Sequence, residues 1–328
     1  MTPRSKDRSP GLADLLDSWT LALESANRSP GTIQSYMATC RLFLRFTTHH
    51  GLPATVEGVD PETIRAFLLA ARQGCWLDAE QQTACPCGIA PTSPGNAHKH
   101  YRNLRAYLGW LIRDGERTGP HPMMNVTEPK VPDQPPDVFT DDELAKLLKE
   151  ASGPSFEDRR DTAIMRILMD TGMRASSLSG LRYSTDQEES DVMLAKKLLR
   201  IRQKGGNVIF VPIGKKAARD LDRYIRIRAR HPLAEEPALW LGKKGRLTQS
   251  GVRQMLERRG KRAGVSNVHP HRFRHTFADD WLDAGGNAHD LMRIAGWSSL
   301  QMVGRYGRAA ADRRAWAAHA KLSPGDRI

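Results

Sequence analysis

The chain has 328 residues, 39% of them hydrophobic, and a formal net charge of +13. That length corresponds to about two domains with buried cores, and no apolar run is long enough to cross a bilayer as a helix. There are four cysteines, Cys40, Cys75, Cys85 and Cys87; a cytosolic chain keeps such thiols reduced, so no disulfide framework is expected.

The first ten residues carry Arg4, Lys6 and Arg8, as a secretory leader would. The segment that follows, Leu12 to Leu23, is interrupted by Asp14 and Asp17 and reads as an amphipathic helix. No export signal is therefore expected, and the expected location is cytoplasmic. Leu12, Leu15, Leu16, Trp19 and Leu23 recur at helical spacing. Ser29-Pro30 opens a second helix with Ile33, Tyr36, Met37, Cys40, Phe43, Leu44 and Phe46 on its apolar face. Pro61 starts a third, with Ile64, Phe67 and Leu68. Ser93-Pro94 starts a fourth, with Ala97, Tyr101, Leu104, Leu108 and Leu111 at alternating steps of four and three.

Between the third and fourth helices, Gly74 to Thr92 is longer than a simple turn and rich in Cys, Pro and Gly. Cys75, Cys85 and Cys87, with His98 or His100, offer soft ligands for a structural zinc ion. The spacing matches no standard finger, so an unmetallated loop is the competing reading.

Prolines at 120, 122, 129, 132, 135 and 136 remove donors and block helix, which predicts a semi-extended linker. Residues 10–118 then form one domain, 119–138 the linker and 139–328 a second domain. Thr140-Asp141-Asp142-Glu143 caps the second domain's first helix. Strand character is expected only over about 192–213, where Leu199–Arg202 and Val208–Val211 flank Lys204-Gly205-Gly206-Asn207 in a hairpin. The remainder reads as helix, so the fold class is mainly α with one small β-hairpin or sheet.

The charge is unevenly placed. Residues 1–137 hold 14 Lys+Arg and 14 Asp+Glu, whereas residues 138–328 hold 36 and 23. A surplus confined to one domain is the footprint of a phosphate-binding surface. Evenly spread solubility charge would look different.

The same domain holds Arg174, Lys204, His271, Arg274, Trp297 and Tyr306. Four cationic or protonatable groups around one tyrosine suit attack on a phosphodiester by a side-chain oxygen. Arginines neutralise the charge that builds on the non-bridging oxygens, and the tyrosine acts as nucleophile. At 100° per residue His271, Arg274 and His275 share one side of a helix started by Pro270 and ended by Gly285-Gly286. Phe273, Phe277, Trp281 and Ala284 form the adjacent core stripe. On context alone, Lys204 reads equally well as a solvated turn lysine, and Trp297 as a core residue. On the fourth helix His98, Lys99, His100, Arg102 and Arg105 suit phosphates and base edges, or a solvated helix face.

Four segments carry a resemblance. Thr171-Gly172-Met173-Arg174-Ala175-Ser176-Ser177-Leu178 resembles the first arginine box of the tyrosine recombinases, or phage integrase family. Pro270-His271-Arg272-Phe273-Arg274-His275-Thr276 resembles their His-x-x-Arg box. Gly296-Trp297, followed nine residues later by Tyr306, resembles the box with the nucleophile. Arg202-Gln203-Lys204-Gly205-Gly206-Asn207 resembles the hairpin that bears the family lysine. The first half of the chain looks like the family's small four-helix, SAM-like core-binding domain.

The resemblance implies a site-specific DNA recombinase that cuts and rejoins duplex DNA through a 3′-phosphotyrosyl intermediate, in integration, excision or resolution. It makes Tyr306 the nucleophile, His271 the general acid/base with His275 in support, and Lys204 the donor to the leaving 5′ oxygen. Arg174, Arg274 and Trp297 would hold the phosphate. Lys99, Arg102, Arg105, His275 and Arg305 are the expected DNA contacts. A homotetramer on two duplex sites, with an accessory directionality protein as a further partner, is implied, and no catalytic metal, cofactor or membrane. In the family a helix beyond the nucleophile, here 309–320, docks on a neighbouring subunit. Ser177 stands where an acidic residue is common, and Met302-Val303 where threonine is usual. A type IB topoisomerase-like enzyme and a non-catalytic DNA-binding relative are the alternatives.

Overall fold

The computed structural model describes residues 10–78, 83–132, 136–186, 188–202, 208–297, 299–304, 306, 315–316, 319–323 and 325–327. The chain divides into two compact units, Met1–Asp133 and Gln134–Ile328.

In the first unit the segment expected as one helix is a 3-10 turn, Leu12–Leu15, running into α1 (Leu16–Ser25). Helices α2 (Pro30–His49), α3 (Pro61–Gln73) and α4 (Pro94–Arg113) each begin at a proline, where a missing N–H costs nothing. The side chains of Ser29, Asp60 and Ser93 accept from the backbone N–H groups of Thr32, Thr63 and Asn96. Each such cap is worth about 1 kcal/mol. The apolar faces read from the sequence meet in one core. Ile64, Phe67, Leu104, Leu108 and Leu111 are wholly buried. The Trp19 ring lies 5.2 Å from Tyr36 and 4.7 Å from Tyr107.

Gly74 to Thr92 departs from the expectation that strands are confined to 192–213. Here β1 (Trp76–Asp78) pairs antiparallel with β2 (Thr83–Ala84). Backbone bonds from Cys75 N–H to Ile89 O and from Cys85 N–H to Cys75 O draw the ends of the segment together. Strands of two or three residues are too short to show a period of two.

The second unit opens on α5 (Asp141–Glu150) with the capping box read from sequence. Glu143 N–H donates to the Thr140 hydroxyl at 3.2 Å, and Thr140 N–H to the Glu143 carboxylate at 3.0 Å. Then follow α6 (Phe156–Thr171), the short α7 (Ala175–Ser179) and an antiparallel sheet of β3 (Val192–Met193), β4 (Leu198–Arg202) and β5 (Val208–Pro212). The strand order is β3-β4-β5, with Leu199 opposite Val211 and Arg202 opposite Val208. Lys204 and its turn, 203–207, lie outside the described residues. Next come α8 (Lys215–Arg228), an unexpected strand pair β6 (Leu241–Gly242) and β7 (Gly245–Arg246), and α9 (Gln249–Ala263). Helices α10 (Pro270–Asp283), α11 (Ala288–Ala295) and α12 (Leu300–Val303) complete it.

Helix α6 is the spine, packed against α8 and α10 through buried Ile164, Ile167 and Leu168. Arg259 of α9 ties the frame together. It pairs with Asp161 at 2.9 Å, Asp158 at 2.8 Å and Glu150 at 3.1 Å, on α6 and α5. Removing one member of such a buried ion network costs about 3–5 kcal/mol, because the others lose their compensation. Of the helix expected over 309–320, residues 315–316 and 319–320 are helical, and the rest of that span is outside the described residues.

Candidate active site

The site grows from the turns that end α6 and α11. Gly172 closes α6 in the left-handed region at φ 54°, and Gly296 closes α11 at φ 62°. A Cβ at Gly172 would sit 2.6 Å from Phe277 Cδ1, so a side chain there meets both backbone strain and a ring. These turns aim carbonyl oxygens at two arginines. Arg274, only 4% exposed, donates to Gly172 O and Ala295 O, both at 2.7 Å. Arg174, the N-cap of α7, is exposed and reaches Gly296 O from both terminal nitrogens at 3.4 Å.

Both of these Arg274 partners are backbone carbonyls, not carboxylates. Its guanidinium lies 4.7 Å from the Trp297 ring centre. Burial and then the charge of Arg174 push its pKa down to about 10, so it stays cationic at neutral pH. A buried cation held by carbonyl dipoles keeps its charge available to an anion in a medium of low dielectric.

Helix α10 begins at Pro270, with His269 Nδ1 accepting the Arg272 N–H at 3.2 Å. Phe273 and Phe277 are buried as the core stripe requires. Ala284 is not: it is the exposed C-cap, one residue beyond the last turn that faces the core. His271 is exposed on the first turn, and His275 is half-buried one turn on, the two rings 6.2 Å apart.

Tyr306 meets this helix. Its hydroxyl lies 3.1 Å from His275 Nδ1, and its ring is stacked on Trp297 at 5.1 Å with 7° between planes. The ring also rests against the cluster of Phe277, Leu291, Trp297 and Val303. Burial, then the charges of His271, His269 and Arg274, lower the pKa of His275 below the ordinary histidine value. A neutral imidazole at Nδ1 can accept the tyrosine proton. Arg174, Arg274, His271, Trp297 and Tyr306 are thus brought to one face. Lys204 and Arg305 lie outside the described residues.

His275, expected both to support His271 and to contact DNA, places its ring against the tyrosine hydroxyl. Its place one turn after His271 was the available signal. Sequence reading also missed a cleft of about 790 Å³ beside the arginines, which Arg174, Thr248, Ser250, Arg253 and His271 help to line. The N-termini of α7, α9 and α10 converge there, and their partial positive charge favours an anion. Ser177 lies half-buried on α7.

In the first unit Lys99, Arg102 and Arg105 are exposed on α4 and line an open groove with residues of α2. His100 faces the other way: it is buried, with Nδ1 3.0 Å from the Thr39 hydroxyl. His98 contacts Glu128 at 2.6 Å. Neither histidine joins the cysteines; the imidazole beside them is that of His50.

Residues 137–313, more than half of the chain, match the model of the phage integrase family. The chain is 31% identical over 200 residues to tyrosine recombinase XerC of Actinobacillus pleuropneumoniae serotype 7, which covers 60% of this chain and 62% of that protein. It therefore spans less than two thirds of that relative's length. Over 253 residues it is 31% identical to tyrosine recombinase XerC of Pseudomonas aeruginosa strain LESB58, covering 75% of this chain and 81% of that one. Among solved structures, a lambda integrase tetramer bound to a Holliday junction shares the fold, with TM-score 0.65 at 19% identity over 91% of this chain and 78% of that chain. The family match runs through every box of the catalytic constellation, and the chain belongs to the phage integrase family, the tyrosine recombinases.

Proposed function

We propose that the chain is a site-specific DNA recombinase whose Tyr306 is the nucleophile. The tyrosine oxygen attacks the scissile phosphorus and passes its proton to His275 Nδ1. The bond to the 5′ oxygen breaks, and that oxygen leaves as a hydroxyl with a proton from Lys204. A 3′-phosphotyrosyl bond remains until a 5′ hydroxyl of a partner duplex attacks it and reverses each transfer. Bond energy is conserved in the link, so the reaction balances without nucleotide hydrolysis. Arg174 and Arg274 offset charge on the non-bridging oxygens. Trp297 is the floor on which Tyr306 and Arg274 meet.

The observation that carries this reading is the Tyr306 hydroxyl on His275, with the tyrosine ring stacked on Trp297 and the buried Arg274 guanidinium 4.7 Å from that indole's centre. The curated relatives, both tyrosine recombinases, support it. Duplex DNA is the substrate and the basic excess of residues 138–328 its electrostatic counterpart. Assembly as a tetramer on two sites agrees with the lambda integrase assembly on a Holliday junction. An accessory protein would set directionality. A duplex DNA substrate fits a cytoplasmic location, and among the described residues no helix is long and apolar enough to cross a membrane.

The test is covalent trapping in cells followed by sequencing of the attached DNA. Wild-type protein is expected to carry a discrete DNA sequence through Tyr306 after denaturation, and Tyr306→Phe none. An adduct that persists in Tyr306→Phe would assign the nucleophile elsewhere. Supercoil relaxation by protein that never exchanges strands would favour the topoisomerase reading.

A further inference from the structure

Cys75, Cys85, Cys87 and His50 come together in the first unit, whereas the tyrosine site belongs to the second. Their ligand atoms all lie within 4.8 Å of one another. His50 Nε2 is 3.1 Å from Cys75 Sγ and 3.8 Å from Cys85 Sγ. All three cysteines are buried, whereas His50 is exposed at the C-cap of α2. Tetrahedral zinc with Zn–S of about 2.3 Å and Zn–N of about 2.0–2.1 Å sets its ligand atoms roughly 3.5–3.8 Å apart. The observed spacings bracket that range, so small side-chain adjustments close the shell.

The backbone around the thiols has the form of a metal knuckle. Cys85-Pro86-Cys87-Gly88 is a tight turn in which the Cys87 N–H donates to Cys85 Sγ at 3.4 Å. Gly88 N–H returns to Cys85 O at 3.0 Å, with Gly88 at φ 74°. An N–H aimed at sulfur stabilises a thiolate, and such outer contacts orient the ligand. The Cys75 N–H to Ile89 O bond brings the third cysteine beside the turn. A Cβ at Gly88 would lie 4.0 Å from Arg45 Nη2, so a guanidinium stands beside the knuckle.

Cys40 shows what a thiol without this role looks like: buried in the apolar core and outside the cluster. The plain alternative for the other three is the same, small hydrophobes under a loop. It does not account for three sulfurs and an imidazole converging from two distant parts of the chain. A disulfide would use two sulfurs and leave the third and the histidine unexplained.

We propose that Cys75, Cys85, Cys87 and His50 form a structural zinc site that pins the 74–92 segment to the end of α2. Binding converts three thiols to thiolates and keeps the imidazole neutral: one zinc ion enters and three protons leave, giving a site of net charge −1 with Arg45 nearby. Three sulfurs select a soft, tetrahedral ion over magnesium or calcium. Four protein ligands fill the shell, so the ion holds structure and does no chemistry. The proposal does not depend on recombinase activity.

The experiment uses the full chain, purified without chelator or immobilised metal. Elemental analysis is expected to find about one zinc per chain. Zinc-stripped, reduced protein titrated with cobalt(II) is expected to give thiolate-to-cobalt charge transfer and the intense d–d bands of a four-coordinate ion, displaced by zinc. Cys85→Ser is expected to abolish the charge-transfer signal or weaken affinity at least tenfold, as outer-shell changes alone reach that size. His50→Gln should also weaken it, while Cys40→Ala and His98→Gln should not. Wild-type protein carrying no zinc and giving no cobalt band overturns the proposal, and that readout needs no variant to fold. A disulfide among the three cysteines in anaerobically purified protein overturns it too, as does a full signal from Cys85→Ser.

Discussion

The Tyr306 hydroxyl and His275 Nδ1 lie 3.1 Å apart, which makes the second histidine of α10 the direct partner of the tyrosine. Its lowered pKa, caused first by burial and then by the neighbouring His271, His269 and Arg274, keeps the imidazole neutral near pH 7. Positioned general bases contribute roughly 10²–10⁴-fold. His275→Ala should slow covalent-adduct formation by about that factor and leave DNA affinity within a few fold. The pH profile supplies the sign. Protonation disables the acceptor, so the wild-type rate should fall on an acid limb below the ordinary histidine pKa of about 6.5. The variant should lack that limb. If its profile keeps the same limb, another group takes the proton.

Gly172 joins fold to site. It ends α6 at φ 54°, and its carbonyl accepts from Arg274 at 2.7 Å. Gly172→Ala adds left-handed strain and a contact with the Phe277 ring. The expected loss is about 1–3 kcal/mol of stability, read in urea unfolding. Adduct formation should fall further than the unfolded fraction explains, because Arg274 loses its alignment. Full activity in the folded fraction would separate the turn from the arginine.

Much of this architecture was legible. Ser29-Pro30 and Ser93-Pro94 announce helix starts with a side-chain cap and a fixed φ, and the apolar faces behind them fill the core. Arg174, Arg274 and Tyr306 were found because each stands in a local motif. Contacts between motifs were harder. Tyr306 reaches His275 across 31 residues, and no local period encodes that meeting. His50 was overlooked as a partner of Cys75 for the same reason. His98 and His100 were nearer the cysteines in sequence, but His98 contacts Glu128 and His100 contacts Thr39. The strands β1, β2, β6 and β7 are too short to alternate.

His100 predicts a pH dependence of stability in the first unit. Burial, then the charge of Lys99, lowers its pKa to about 4. In the unfolded chain it titrates near 6.5. Its contribution is therefore fully present above about pH 6.5 and is lost as pH falls towards 4, with a ceiling of about 3 kcal/mol. His100→Gln cannot take up that proton. Chemical denaturation of wild type and variant between pH 7 and 4 should show their stability gap closing on the acid side. A gap that stays constant would mean that His100 titrates normally in the folded protein.

Lys204 and Arg174 should be separable by leaving-group chemistry. Expulsion of a 5′ alkoxide near neutral pH needs a proton, because the alkoxide is a strong base. A 5′ thiolate needs far less help, since a thiol has a pKa of about 8.5. Replacing the bridging 5′ oxygen by sulfur therefore removes the need for a proton donor and leaves the rest of the transition state in place. Lys204→Ala should be slow on ordinary DNA and return close to the wild-type rate on the sulfur-bridged substrate. Arg174 acts on different atoms. Its exposed fork sits at the N-cap of α7, 3.4 Å from Gly296 O, on the face that holds Arg274 and Tyr306. In the proposed role it offsets charge on the non-bridging oxygens, which sulfur at the bridge does not relieve. Arg174→Ala should stay slow on both substrates, by about 10²-fold or more if it matches the loss of one donor to a developing oxyanion. Single-turnover cleavage by both variants on both substrates gives the comparison. Rescue of both, or of neither, would contradict the assignment of proton donor to Lys204 and charge stabiliser to Arg174.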